Sequence, residues 1–189
     1  MNKPTIAVIL GSIREGRAIE NVAAWFLHAV HANPDAHIEL LDLKDFPLPM
    51  FADAVAPAYR EGAHPIPEVQ AWLDKIAAAD GFIFISPEYN HGYSSVLKNA
   101  IDYGSKEWAE KPVGFVGYGG AAGGARAVEQ LRQVVGELRM YDVRDQILIP
   151  SVWAAFDDQT KLLHGNEAQE RTANHILSHV ATLATKLRA

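Results

Sequence analysis

Two short segments of the chain carry side chains whose types and spacing suit chemistry. The first, Gly11–Arg17, reads GSIREGR and follows a continuous apolar run. Backbone N–H groups at the start of a helix bind phosphate together with the helix dipole, and a serine hydroxyl or an arginine adds a further hydrogen bond. The segment lacks the Gly-Lys-Ser/Thr ending of a triphosphate loop and the Gly-x-Gly-x-x-Gly pattern of a dinucleotide site. It predicts a site for a terminal monophosphate, and the alternative is an exposed turn with two solvated arginines.

The second segment, residues 86–102, reads SPEYNHGYSSVLKNAID and follows another apolar run. Its Tyr89 and Tyr93 can stack or hydrogen bond, and Asn90 can both donate and accept. Gly92 lets a ligand approach the backbone, because glycine carries no Cβ. These properties favour a flat ligand with polar edges, and the alternative is an ordinary loop of turn-forming residues.

Other kinds of site find little support in the residue types. The chain contains no cysteine, which excludes disulfides, thiolate nucleophiles and dithiol redox chemistry. A redox function would therefore need a bound cofactor. His175 and His179 have a spacing that suits a metal, but no third ligand is near them in the sequence. We predict no metal site and interpret both histidines as polar helix positions or interface residues.

The elements that must position these segments alternate between strand and helix patterns. Apolar runs predict strands at Thr5–Leu10, Ile38–Leu43, Gly81–Ile85, Val113–Gly117 and Val143–Ile149. Stripes of apolar residues at helical spacing lie between and after them. Five such units predict an α/β fold with a doubly wound parallel sheet, and the length of 189 residues suits one domain over residues 1–189. Both chemical segments then follow carboxyl ends of strands, where open α/β sheets bind their ligands.

One long stretch, Asp45–Pro67, does not fit this alternation. It holds five prolines, which predict that it lacks regular structure: Pro47, Pro49, Pro57, Pro65 and Pro67. A loop of this length in a compact domain is usually functional or disordered, and its apolar content argues against disorder. We predict that it packs beside the ligand or in a subunit interface, and the alternative is a surface loop that shields its own side chains.

Three segments resemble the NADPH-dependent FMN reductase family, which includes quinone, azo-dye and chromate reductases: GSIREGR at 11–17, SPEYNHGYSSVLKNAID at 86–102 and PVGFVGYGGAAGGARA at 112–127. They occur in order, and the resemblance covers nearly the whole chain. It implies a flavodoxin-like, five-stranded, doubly wound sheet with helices on both faces, FMN as cofactor and NADPH or NADH as hydride donor. Arg17 and Ser94 depart from the family pattern, in which serine and proline are common.

The resemblance also implies which residues hold FMN. The phosphate would be held by Gly11, Ser12, Arg14, Gly16 and Arg17, with either arginine supplying the charge. The ring edge would lie along Pro87, Glu88, Tyr89, Asn90, His91 and Gly92, and the other side of the ring would be bordered by Tyr118, Gly119 and Gly120. Gly123 and Gly124 are expected to add room for the ring. Arg126 would reach a cofactor phosphate or ribose, or else be a solvated helix-start residue.

Hydride transfer between two stacked rings requires no protein nucleophile, so we predict no catalytic side chain, and a proton role for Glu88 or His91 is the less favoured alternative. The predicted reaction is ping-pong transfer to a small acceptor such as a quinone, an azo compound, free flavin or chromate. The alternatives are a flavodoxin-type electron carrier and a flavin-binding sensor. A purified carrier would not consume NAD(P)H with a quinone.

Bulk properties limit the partners and the location. The net charge of −6 argues against nucleic acid as the main partner. No apolar run approaches the roughly 18 residues of a membrane span, and the first residues do not form a signal-peptide pattern. We therefore expect a cytoplasmic protein without a membrane partner. The family resemblance implies a homodimer or homotetramer, with Trp108 and Trp153 as candidate interface or pocket residues.

Overall fold

The computed structural model describes residues 2–160, 162–164 and 167–188. Its strands form one five-stranded parallel sheet in the order β2-β1-β3-β4-β5, and they are β1 (Thr5–Leu10), β2 (His37–Asp42), β3 (Gly81–Pro87), β4 (Pro112–Tyr118) and β5 (Tyr141–Ile149). The helices that connect and follow them are α1 (Ile19–Val30), α2 (Pro67–Ala78), α3 (Ser95–Asp102), α4 (Ala125–Glu137) and α5 (Glu167–Leu187). This strand order is the flavodoxin-like one, which confirms the predicted doubly wound sheet.

Helices cover both faces of the sheet, which explains why its inner strands are continuous apolar runs. Along β1, Ile6 and Val8 pack into the cluster formed with α1 and α5, while Ala7 and Ile9 pack into the cluster formed with α2, α3 and α4. Side chains alternate across a strand, so a strand covered on both faces has no polar side. All residues of β3 and β4 are buried for the same reason.

The proline-rich stretch contains more regular structure than predicted. Pro57 begins the 3-10 helix Pro57–Tyr59, and Pro67 is the first residue of α2. The prediction that the prolines exclude regular structure was therefore wrong at these positions, because the fixed φ and missing N–H of proline suit the first turn of a helix. Another 3-10 helix, Leu43–Asp45, follows β2.

Side-chain bonds fix the same stretch to α3. The Asn99 amide donates to the Pro49 carbonyl at 2.8 Å and accepts from the Phe51 N–H at 2.8 Å. The described residues of this stretch do not line the cavity discussed below, so packing beside a ligand is not supported. Met50 and Tyr59 remain exposed, and a role for the stretch in a subunit interface stays a prediction.

Two buried tryptophans offer a matched test of hydrogen bonding in the core. The Trp72 indole donates to the Ala100 carbonyl at 2.8 Å, whereas the Trp25 indole N–H has no partner among the described residues. We expect Trp72→Phe to lower the free energy of unfolding by about 1–2 kcal/mol more than Trp25→Phe, because only the first change removes a made hydrogen bond. Urea unfolding of both variants measures this difference, and equal losses would contradict it.

Candidate functional site

A cavity of about 480 Å³ opens at the carboxyl edge of the sheet. Its walls come from the loop after β1, the ends of β3 and β4 and the turn after β5. Most of the predicted site residues line it, namely Arg14, Gly16, Arg17, Pro87, Glu88, Tyr89, Asn90, Tyr118, Gly119 and Gly120. The volume suits a cofactor-sized ligand, and the position between the loops after β1 and β3 is where the strand order reverses.

Two residues predicted to contact the phosphate lie behind this wall. A Cβ on Gly11 would meet the Ile85 carbonyl oxygen at 2.9 Å, so glycine here allows the end of β1 to pack against β3. The buried Ser12 hydroxyl lies 2.8 Å from the Tyr89 hydroxyl and joins the two loops. The cavity lining does not include these two residues, and their predicted contact with a cofactor stays a prediction.

The loop after β3 ends in a tight turn between Tyr89 and Gly92. These residues exchange backbone bonds of 2.8 and 3.1 Å, and Asn90 and His91 have φ angles of 50° and 69°, typical of a type I′ turn. A Cβ on Gly92 would meet the Gln130 side-chain oxygen at 3.0 Å, and the Gln130 amide donates to the His91 carbonyl at 2.9 Å. Gln130 of α4 thus lies against Gly92, which is not part of the cavity lining, and the predicted contact of Gly92 with a ligand stays a prediction.

The two arginines of the loop after β1 have different surroundings. The Arg17 guanidinium is paired with Asp42 and donates to the Asp42 Oδ1 at 2.7 Å. Arg14 is exposed, its guanidinium carbon lies 5.6 Å from the centre of the Tyr89 ring, and no ion pair involves it within the described chain. Of the two cations proposed for the phosphate, Arg14 is the one available to a ligand.

The glycines after β4 fall into two groups. A Cβ on Gly120 would meet no atom within 4 Å, and the same holds for Gly16 across the cavity. A Cβ on Gly124 would instead lie 2.4 Å from the Tyr118 nitrogen, and one on Gly123 would lie 2.9 Å from the Pro150 nitrogen. The expectation that these last two glycines make room for a ring was wrong, since they allow the loop to fold back onto β4 and β5.

A buried hydroxyl in the cavity wall has no partner. Tyr118 is 4% exposed, and its hydroxyl makes no hydrogen bond to the described residues. Burial and the nearby Tyr89 phenol raise the pKa of this phenol above its ordinary value, although the Arg17 and Arg14 cations oppose the rise. The phenol therefore stays protonated at neutral pH and retains an unused donor beside the loop predicted to hold phosphate.

Glu88 and Arg126 form an ion pair at the edge of the site. Glu88 accepts from the Arg126 backbone N–H at 3.2 Å, and its carboxylate is also bonded to the Arg126 guanidinium. Arg126 nevertheless stays exposed to solvent, with 47% of its side chain accessible, and it does not line the cavity. Lys98 and Asp102, one helical turn apart on α3, form a second pair, with the Lys98 Nζ 2.6 Å from the Asp102 Oδ2.

The remaining sequence candidates also have defined places. His175 lies 3.1 Å from Asp145, and the described residues contain no cluster of three metal-ligating side chains. Trp108, predicted at an interface or pocket, is instead fully buried in the core, whereas Trp153 is 79% exposed and lines the cavity.

Two lining residues, Ala18 and Val152, were missed by the sequence analysis. Both are small or apolar and carry no chemical signal of their own. The turn at Val152 follows the carboxyl end of β5, and its N–H donates to the Gly119 carbonyl at 3.0 Å. A position after a strand end was the only signal that could have indicated it.

The strand order of the parallel sheet, with a cavity where that order reverses, defines a flavodoxin-like α/β protein with a candidate ligand site. The family model for NADPH-dependent FMN reductases matches residues 4–154, and the chain belongs to that family. It is accordingly an oxidoreductase that depends on FMN and NAD(P)H. Within residues 2–160, 162–164 and 167–188, no helix is both long and apolar enough to cross a membrane.

Named relatives agree with this family. The chain is 40% identical over 137 residues to an NAD(P)H-dependent FMN reductase of Schizosaccharomyces pombe, covering 72% of this chain and 68% of that protein. It is 35% identical over 136 residues to a probable NADPH:quinone oxidoreductase of Oryza sativa, covering 68% and 65%. Among solved structures, the flavoenzyme NAD(P)H:(acceptor) oxidoreductase FerB from Paracoccus denitrificans has the same fold, with a TM-score of 0.75, 21% identity, and coverage of 97% of this chain and 98% of FerB.

Proposed function

We propose that the protein passes hydride from NADPH or NADH through FMN to a small acceptor by a ping-pong mechanism. The observation that carries the proposal is the cavity between the loops after β1 and β3, where Gly16 and Gly120 leave space that no protein atom fills. Bound FMN would supply a ring that accepts and donates hydride. The residues of this chain then need only bind and orient flat molecules.

The phosphate would be held at the start of α1. There the exposed Arg14, the backbone N–H groups of the loop and the unpaired Tyr118 hydroxyl can all donate to an anion. The ring would lie along residues 87–90 and 118–120, which form the opposite part of the cavity wall. This set of donors around an open space fits FMN and is our proposal for the cofactor site.

Proton transfer by a side chain is not needed and finds little support. The Glu88 carboxylate is bonded to Arg126 at the start of α4, and His91 does not line the cavity. A carboxylate held in an ion pair is a poor proton donor, so protons for the reduced acceptor would come from solvent.

The acceptor we favour is a quinone, and azo compounds, free flavin and chromate are the other members of the proposed class. One cavity serves both substrates, so the oxidised nicotinamide must leave before the acceptor enters. Trp153 is largely exposed at this cavity and offers an aromatic face to a flat acceptor. The name of the rice relative supports the quinone.

The first experiment is an absorption spectrum of the purified protein before and after anaerobic addition of NADPH. A flavin spectrum that bleaches with NADPH and recovers with a quinone supports the proposal. A flavin spectrum that ignores both nicotinamides would favour the electron carrier or the sensor. No flavin, even after incubation with FMN, would contradict the proposed site.

Initial rates at several NADPH and quinone concentrations should give parallel double-reciprocal lines, and intersecting lines would contradict the ping-pong order.

The Tyr118 hydroxyl provides a sharper test of the phosphate site. We expect Tyr118→Phe to weaken FMN binding about tenfold, because a hydrogen bond to a charged group contributes about 1.5 kcal/mol or more. The free energy of unfolding without FMN should be unchanged or higher, since the hydroxyl has no hydrogen-bond partner in the part of the chain that the structure describes. Titration with FMN and urea unfolding measure the two effects. Tyr141→Phe is the control, because its hydroxyl bonds Glu110 and does not line the cavity.

Other features of the protein remain proposals from the sequence. A homodimer or homotetramer, a single domain over residues 1–189 and a cytoplasmic location belong to this group. Light scattering of the purified protein would measure the number of subunits.

A further inference from the structure

The Arg17 side chain is bound on every side by the protein itself. Its guanidinium forms a two-pronged pair with the Asp42 carboxylate, donates to the Ser12 carbonyl, and lies 3.2 Å from the Glu20 carboxylate. Only 5% of the Arg17 side chain is exposed, although it lines the cavity. The planar fork of arginine matches a carboxylate in this way, which makes the pair geometrically specific.

Asp42 is as firmly held as its partner. It is the last residue of β2, and its Oδ1 accepts from the Lys44 N–H at 2.9 Å. Desolvation by burial favours a higher pKa for Asp42, but the hydrogen bonds from Arg17 and Lys44 outweigh it and keep the pKa of Asp42 below its ordinary value. The hydrogen bond to Asp42 in turn raises the pKa of Arg17. Both groups therefore remain charged at neutral pH.

This geometry leaves Arg17 unsuited to bind phosphate directly. A phosphate reaching the guanidinium would have to displace a carboxylate that is already bound in two places. The two negative groups would then repel each other at short range. The exposed Arg14 needs no such exchange.

The contacts of Arg17 instead close the loop on itself. Gly16, with a φ of 61°, turns the chain so that the next side chain reaches back to the Ser12 carbonyl. The bond to Asp42 then ties this closed loop to the end of β2, the neighbour of β1 in the sheet. These contacts hold residues 13–16 in place. None of them uses a backbone N–H group of residues 13–16.

We infer that Arg17 and Asp42 act together as positioning residues, holding the loop after β1 in the shape that receives the FMN phosphate. The inference rests on the proposed function, since it concerns the same cofactor site. It assigns a necessary role in cofactor binding to Asp42, an acidic residue that would only repel phosphate if it acted alone.

The test compares FMN with riboflavin, which lacks the phosphate, in variants of both residues. Dissociation constants are measured by flavin fluorescence. Asp42→Asn is the decisive variant because the two roles of Arg17 predict opposite signs. If Arg17 positions the loop, Asp42→Asn weakens FMN binding about tenfold; if Arg17 binds phosphate, freeing it from Asp42 strengthens binding or leaves it unchanged.

Arg17→Ala should weaken FMN binding as Asp42→Asn does. The double variant should lose no more affinity for FMN than Arg17→Ala alone, because the two residues act as one unit. Arg17→Lys, which keeps a charge but not the fork, should fall between wild type and Arg17→Ala. Glu20→Gln is the control, since the Glu20 side chain is 65% exposed and its bond is the outermost of the set. Riboflavin binding should change less than twofold throughout.

Two results would overturn the inference. The first is FMN binding by Asp42→Asn that equals or exceeds that of wild type. The second is an equal loss of affinity for FMN and for riboflavin, which would show general loosening of the fold. The melting temperature of each variant checks for such loosening directly. If Arg17→Ala does not fold, Asp42→Asn and Arg17→Lys still show whether the affinity for FMN falls or rises when the pair is broken. A wild-type protein that binds neither flavin would instead contradict the proposed function.

Discussion

Alanine in place of Gly124 is expected to destabilise the protein by about 3 kcal/mol or more, the combined cost of overpacking and of a strained backbone. The new Cβ would lie 2.4 Å from the Tyr118 nitrogen and 2.6 Å from the Gly117 carbonyl carbon. Both are backbone atoms of β4, the buried strand that ends at the cavity, so they cannot move aside cheaply. The φ of 91° at Gly124 is also a conformation that alanine rarely adopts. Urea and thermal unfolding measure the loss.

Gly120→Ala is the matched control for this prediction. Gly120 belongs to the same loop, but a Cβ there meets no protein atom. Its free energy of unfolding should stay close to that of wild type, while FMN binding weakens because the methyl group occupies cavity space. A Gly124→Ala protein as stable as wild type would show that the loop does not fold back onto β4 as described.

Arg14→Ala is expected to weaken FMN binding by about 10- to 100-fold, since a charge-assisted hydrogen bond contributes about 1.5–3 kcal/mol. The expectation follows from the exposure of Arg14 at the cavity, with its cation beside the Tyr89 ring. The stability of the FMN-free protein should change little, because no described ion pair is lost. Equilibrium titration with FMN, monitored by quenching of flavin fluorescence, measures the change.

Riboflavin and a second arginine provide the controls for Arg14. Riboflavin has no phosphate, so its affinity for Arg14→Ala should equal that for wild type. Arg144→Ala removes an arginine that is 96% exposed and does not line the cavity, so it tests whether the loss of a positive charge alone weakens FMN binding. Equal weakening by both variants, or by Arg14→Ala toward both flavins, would remove Arg14 from the phosphate site.

Most of the fold could be predicted because it depends on local patterns that the sequence carries. Runs such as residues 6–10 are apolar at every position, since their side chains alternate between two covered faces. The spacing of these runs with helical stripes leaves few topologies once right-handed crossovers are required. The Asp45–Pro67 stretch was predicted less well, because a proline pattern does not distinguish a break in structure from the first turn of a helix.

The location of the candidate site was predictable for the same reason. The carboxyl ends of parallel strands meet at one edge, so Gly11–Arg17 and the Pro87–Asn90 segment had to lie close together. The roles of individual residues there were less predictable. Gly92 and Gly124 look like ligand-binding glycines in the sequence, but the structure uses both for contacts within the chain.

The sequence by itself determined the α/β alternation, the strands whose ends form the site, and the residue types that suit a phosphate and a flat ring. These properties follow from periodicity and from short segments that act within a few residues of one another. Only the tertiary structure decided which side chains are free to use. Asp42 lies 25 positions from Arg17 in the chain, and they meet because β2 pairs with β1. That pairing occupies Arg17 and, among the residues that the structure describes, leaves Arg14 as the free cation at the cavity. The partners of a long side chain depend on which strands become neighbours.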